Sequence, residues 1–261
     1  MAFKTWQTGV HIQQDKVQDK VIAVALTRER AGWRLRRWWA VPLSDGVIGE
    51  GKILKPEQLV NALRGWRKTL PHSHRVFLSF PATRVLQRAL PRPSVNLRDS
   101  EQLTWVGAAL ARELEMPPDT LCFDYAQDTF SNTFQVTAAQ NREVDTLLSL
   151  AKALRLRLAA IVPDAGALAN LLSAVAPVRC VAWRDKHQWL WAMRHQWGRR
   201  YTTEAATVNE LAALLALSPS DIAVFDAARY PWEAVTLCQP PLPECGADYT
   251  VALALAMSEA P

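Results

Sequence analysis

The chain is 261 residues long, about half of them apolar, with a formal net charge of +5. A chain of that length can bury roughly 70–75% of its unfolded surface on folding, enough for one large core or two modest ones, so a folded protein is expected. No run reaches the ~20 apolar residues of a membrane-spanning helix, the richest being the short stretch Val251 to Met257.

From the N-terminus, Met1 to Gln7 carries only Lys4, with no apolar core behind it, so no export signal is read and a cytoplasmic location is expected. Val21 to Leu26 is apolar on both faces, the pattern of a central strand, and Trp33 to Val41 follows as a strand-like ribbon. Pro56 opens a helix whose Leu59, Leu63, Trp66 and Leu70 form one apolar stripe. His72 and His74, beside Pro71, are expected in an exposed polar turn. Strands are expected over Arg75 to Phe80 and Arg84 to Leu90. Asp99 or Ser100 caps the next helix, with Gln102 three residues beyond Asp99; Leu103, Val106, Leu110 and Leu114 line its face until Pro117-Pro118 stops it. Leu121 to Tyr125, Thr133 to Ala139 and Leu158 to Val162 read as strands. Between the last two, Asn141 precedes a helical stripe of Val144, Leu147, Leu148, Ala151 and Leu154. Asp164 precedes a further stripe of Leu168, Leu171, Leu172 and Val175, and Ala176-Pro177-Val178 marks a boundary before a new set of strands. Thr207 and Glu210 make a capping box, and the proline-rich stretch Gln239 to Gly246 reads as an extended, exposed loop. Asp248 to Met257 is apolar nearly all round, which predicts a helix buried between layers. Short apolar runs alternating with helical periodicity from end to end give α/β architecture.

The chemistry-bearing residues are sparse. Four cysteines form no Cys-x-x-Cys pair and have no histidine at metal-ligand spacing, so free thiols and no metal site are expected. No phosphate-binding glycine loop occurs, and ten glycines supply little material for one. There is no nucleophile elbow and no His-Glu-x-x-His pair; Asp124 beside Tyr125 and Asp185 near His187 are polar pairs of a kind any surface supplies. Catalysis and cofactors are therefore not expected. Basic residues are spread among acids, so the charge excess by itself assigns no partner. Eleven tryptophans stand out, among them Trp38-Trp39, Trp189 and Trp191, flanked by Arg34, Arg36, Arg37 and Arg194. They form either a stacking platform for single-stranded nucleic acid or ordinary sheet packing with arginine stems over the ring edges.

Read in order, several segments resemble the PilM family, the FtsA-related actin-like proteins of type IV pilus and competence systems. They are Val41-Pro-Leu-Ser-Asp-Gly-Val-Ile-Gly-Glu-Gly-Lys-Ile-Leu-Lys-Pro-Glu-Gln-Leu59, Val76-Phe-Leu-Ser-Phe-Pro-Ala-Thr-Arg-Val-Leu-Gln-Arg-Ala-Leu-Pro91, Ala111-Arg-Glu-Leu-Glu-Met-Pro-Pro118, Phe123-Asp-Tyr125, Val136-Thr-Ala-Ala-Gln-Asn-Arg-Glu-Val144 and Ile161-Val-Pro-Asp-Ala-Gly-Ala-Leu-Ala-Asn-Leu-Leu172. No single piece is specific, but the ordered series spans nearly the whole chain. The resemblance implies an actin-like, ribonuclease-H-related two-domain α/β fold. Residues 1–178 would form domain 1, with a subdomain called 1C inserted at about 84–157, and 179–261 a reduced domain 2 whose last helix returns to the core.

Family members with an intact nucleotide site carry an Asp-Ile-Gly-Ser-Ser loop after the first strand. Here Gly9 to Asp15 takes that place, with His11 in the position of the acid and Gln13 in that of the glycine. In the second half an expected Val-Asp-Ile-Gly becomes Val181-Ala-Trp-Arg-Asp185, putting Trp183 and Asp185 into the second loop, and the glycine-rich adenosine segment becomes Ala223 to Pro231. Each departure adds bulk where ligand would sit, so a degenerate site without ATP is expected, and the short second half implies that the upper subdomain, 2B, is largely missing. The resemblance further implies a partner: the cytoplasmic tail of a PilN-like inner-membrane protein, held where 1A and 1C meet. The candidate contacts are Phe80, Arg84, Gln87, Arg88, Trp105 and Arg112, and through that partner the chain would sit peripherally on the inner membrane. The rival readings are an ATP-binding actin-like switch and a single-stranded nucleic-acid binder.

Overall fold

The computed structural model describes residues 5–14, 18–95, 97–127, 132–185, 187–226, 228–239, 241–243 and 245–259. Lys4, Asp15, Ala227, Pro240 and Glu244, which belong to segments read above, lie outside the described residues. In chain order the elements are β1 (Trp6–Gln13), β2 (Lys20–Glu29), β3 (Gly32–Pro42), the short β4 (Ile48–Gly49) and β5 (Lys52–Ile53), α1 (Pro56–Thr69), β6 (His74–Phe80), β7 (Leu86–Pro91), α2 (Asp99–Leu114), β8 (Leu121–Gln127), β9 (Thr133–Gln140), α3 (Asn141–Ala153), β10 (Leu158–Pro163), α4 (Asp164–Ala167), β11 (Cys180–Arg184), β12 (Gln188–Ala192), β13 (Trp197–Tyr201), α5 (Val208–Leu214), β14 (Ile222–Phe225) and α6 (Thr250–Ala256).

Two compact units emerge, residues 84–149 and the remainder of the chain. Besides the two-stranded β4-β5, the larger unit holds two sheets built on one plan. The first has the order β10-β6-β1-β2-β3 and the second β13-β12-β11-β14. In each, three consecutive strands form an antiparallel meander whose first member pairs in parallel with a strand reached by a helical crossover: β1 with β6, and β11 with β14. Such crossovers put a helix on a sheet face and demand strands apolar on both sides, as β2 and β11 are. The second sheet stops one strand earlier than the first.

Helix α6 lies at the centre of this unit. Every residue from Thr250 to Ser258 is buried, against β1, β2, β6, α4 and the 3-10 segment Leu168–Ala174. An apolar girdle with no polar face can only be accommodated this way. Gly9 makes the approach possible: a Cβ there would stand 2.0 Å from the carbonyl oxygen of Ala252. On the other side of the first sheet, α1 buries Leu59, Leu63 and Trp66.

The smaller unit is a three-stranded sheet, β7-β9-β8, with α2 over one face. Its core is Leu90, Val106, Leu110, Leu121, Phe134, Val136 and Ala138. Here local expectations shift by a residue or a face. Helix α2 is capped at Arg98, whose backbone N–H donates to the Glu101 carboxylate at 2.8 Å, rather than at Asp99 or Ser100 with Gln102. Leu103 is 51% exposed, because α2 turns Trp105, Val106 and Leu110 to the sheet instead. Leu148, on α3, is likewise 45% exposed. In the larger unit, His74 is buried, not exposed: its Nδ1–H donates to the Pro71 carbonyl at 2.7 Å and its Nε2 accepts from the Arg157 backbone N–H at 3.3 Å. That double engagement requires a neutral ring, and burial accordingly lowers its pKa. His72 is exposed.

Candidate functional site

The segments around His11 and Trp183, read from sequence as altered phosphate loops, meet inside the larger unit. Gly9 to Gln13 is strand, not loop, and His11 sits near the end of β1, only 5% exposed. Trp183 sits near the end of β11 and is also buried. Their rings contact edge to face, with centroids 5.9 Å apart at 89°. His11 Nδ1 lies 3.2 Å from the Ser79 hydroxyl on the neighbouring strand β6, and that hydroxyl also accepts the Ile12 N–H. Burial, aided by the charge of Lys20, pushes the His11 pKa down to about 4, so the ring is neutral near pH 7. Trp183 Nε1–H donates to the carbonyl of Ala247 at 2.8 Å. A neutral imidazole packed on an indole offers neither a carboxylate for a metal nor free amides for phosphate.

Of the remaining members, Asp185 serves the backbone, while Gln13 has a buried side-chain oxygen with no hydrogen-bond partner among the described residues. Gln13 is buried at the end of β1. Asp185 closes the β11–β12 turn by accepting the backbone N–H groups of His187 and Gln188 at 2.6 and 2.7 Å. After β14, Asp226 does the same for Ala228 and Arg229 at 2.8 and 3.2 Å, and the chain then buries Pro231 and Trp232.

One buried acid was read from sequence only as a helix start. Asp164, at the head of α4, accepts the Ala82 N–H at 2.9 Å and the Ala165 N–H at 2.7 Å. It thereby ties the turn after β6 to the helix after β10. Burial raises its pKa to about 7, against the two amides and Arg199, which lower it; nearby Asp185 also raises it. Among the described residues no group of three or more His, Cys, Asp or Glu side chains could hold a metal ion.

The partner-peptide candidates fall into different settings. Phe80 is buried at the end of β6. Arg84 forms an ion pair with Glu143 of α3, its Nε at 3.1 Å. Gln87 and Arg88 are exposed on β7, which among the described residues is an edge strand paired with β9, and strand alternation points them to opposite faces. Arg88 Nε meets Glu113 of α2 at 3.2 Å. Arg112, its neighbour on α2, is exposed, whereas Trp105 packs on Phe134 with centroids 6.2 Å apart. The tryptophans flagged for stacking are engaged in packing: Trp39 lies edge-on to Trp66, Trp38 backs onto the core, and Trp189 and Trp191 are buried in the second sheet.

A scan against protein-family models finds no match. The chain is 45% identical over 262 residues, covering all of both chains, to the DNA utilization protein HofM of Escherichia coli (strain K12). In fold it is similar to the PilM-PilN type IV pilus biogenesis complex, with a TM-score of 0.71 at 14% identity over 98% of each chain. It is also similar to the cytoplasmic domain of EpsL, an inner-membrane component of the type II secretion system of Vibrio cholerae, with a TM-score of 0.57 at 12% identity over 97% of this chain and 96% of that one. With the two sheets of shared plan, these likenesses make the fold actin-like α/β.

Proposed function

The chain belongs to the HofM family, of PilM-like actin fold, and from that premise we propose that it is a non-catalytic scaffold of a pilus-like or DNA-uptake apparatus. It binds the cytoplasmic tail of a PilN-like inner-membrane protein and sits on the cytoplasmic face of that membrane through this partner. The pathway it serves is uptake of DNA, including its use as a nutrient.

The observation that carries the reading is the contact between His11 and Trp183. By the resemblance, the two phosphate loops of a nucleotide-binding actin-like fold would face each other there, and the packed rings support reading the site as one without nucleotide. The fold is thus kept for binding rather than turnover. Calorimetry with Mg-ATP tests this part: no binding tighter than about 100 μM, roughly −5.5 kcal/mol, is expected. A tighter constant would return the chain to the nucleotide switches.

For the partner, the proposed contacts are Phe80 in the larger unit and Arg84, Gln87, Arg88, Trp105 and Arg112 in the smaller one, two of them on β7. β7 lies at the edge of its sheet, where an added strand could align, while Arg88 and Arg112 supply charge-assisted donors to acidic side chains or carbonyls. Calorimetry with the N-terminal peptide of the PilN-like protein decides it, and undiminished binding in an Arg88→Glu/Arg112→Glu double variant moves the site elsewhere.

A further inference from the structure

The +5 charge of the chain is less dispersed than its sequence suggests. The tip and flanks of the β2–β3 hairpin, residues 28–37, hold five arginines and one acid, a net +4. Strand pairing gathers three of them. Ala25 pairs with Arg37 and Leu26 with Leu35, so Arg36 is the extra residue of a β-bulge. A bulge breaks the strict alternation of a strand. Arg34, Arg36 and Arg37 consequently share the side of the hairpin that carries Thr27 and Glu29: Arg36 Nε donates to the Thr27 hydroxyl at 3.0 Å, and Arg34 and Arg36 reach the same Glu29 carboxylate at 3.0 and 3.4 Å. Arg28 lies over the Trp33 ring, 4.9 Å from its centroid, and Arg30 is exposed at the turn. Among the described residues Glu29 is the one carboxylate paired with any of the five.

We propose that this arginine hairpin is a direct contact surface for an anionic phospholipid bilayer. Three features favour a membrane over other polyanions. Guanidinium groups match phosphate in two-point geometry. Arg28, Arg30 and Arg37 are exposed around the hairpin, while Arg34 and Arg36 are partly covered and held by Glu29, an arrangement of outward charges that suits a broad planar surface. The aromatic faces that single-stranded nucleic acid needs are taken, since Trp33 lies under Arg28, Trp39 under Arg37 and against Trp66, and Trp38 against the core. The proposal does not rest on tail binding, because it needs no second protein.

Co-sedimentation of the full chain with phosphatidylcholine vesicles, with and without 30% phosphatidylglycerol, tests it. Binding to the anionic vesicles only is expected, abolished by 0.5 M NaCl. Each arginine near an anionic surface is worth about fivefold in partitioning, so Arg30→Gln/Arg37→Gln should lose about 25-fold and Arg30→Glu/Arg37→Glu more, with unchanged melting temperature and unchanged affinity for the partner peptide. Arg194→Glu, exposed on the β12–β13 turn, should lose no more than about twofold. Three outcomes overturn the proposal: no preference for anionic vesicles, an equal loss in Arg194→Glu, or a thymidine 20-mer or acidic peptide that binds the hairpin more tightly than the vesicles do.

Discussion

The cleft between the two sheets and the small 84–149 unit use polar side chains in opposite ways. At the junction of the two sheets, His11, Asp164 and Trp183 are buried and bond to Ser79, to the Ala82 and Ala165 amides and to the Ala247 carbonyl. In the small unit, Gln87, Arg88 and Arg112 stand exposed on an edge strand and a helix. Buried groups bonded within the fold hold it together, whereas exposed groups, even those that make surface pairs such as Arg88 with Glu113, can be reached by a partner. If that contrast is right, changes in the cleft should cost stability and changes on the small unit should cost binding.

The largest effect is expected from Trp183→Ala, which removes the ring facing His11 and the bond to Ala247 and should destabilise by about 3–5 kcal/mol. Chemical denaturation measures it, and Mg-ATP binding gained in this variant would mean that the cleft is merely plugged. Gly9→Ala forces a methyl group into the backbone of α6 and should cost about 3 kcal/mol, read as a drop in melting temperature.

A pH titration sharpens the same point. His11, with its folded pKa held near 4 against 6.5 unfolded, loses stability as pH falls from 6.5 to 4, because only the unfolded chain takes up the proton. Asp164, raised to about 7 from 3.8, acts in reverse and loses stability as pH rises across 3.8 to 7. Each slope amounts to something on the order of 3 kcal/mol, and between pH 4 and 6.5 they oppose one another. Removing either group should therefore unmask the other: His11→Gln should be most stable near pH 4, and Asp164→Asn should weaken steadily below pH 6.5. Parallel pH profiles for both variants and the parent chain would refute the pairing.

On the small unit the expected effects are of another kind. Arg88→Glu and Arg112→Glu should each weaken capture of the tail peptide by about 1.4 kcal/mol, tenfold, with little change in melting temperature. The smallest effect is Leu103→Ala, whose side chain is half exposed; a loss above about 0.5 kcal/mol would show that this face of α2 is covered after all.

Local pattern was enough wherever a segment had only one way to satisfy its own surface. Helix α6 is apolar all round and so must be buried, Pro56 with the Leu59–Leu63–Trp66 stripe fixes α1, and β2, apolar on both faces, has to be central. The ordered segments that resemble a known family carried the topology, and the substituted loops carried the expectation of a nucleotide-free site. Tertiary structure alone decided where distant residues meet. It brought His11 onto Trp183, took His74 out of solvent, turned Leu103 and Leu148 outward, and used a bulge to gather Arg34, Arg36 and Arg37. Periodicity determines which face of an element is apolar, but which polar group is buried and with what partner depends on the surface that folds against it, and that surface comes from elsewhere in the chain.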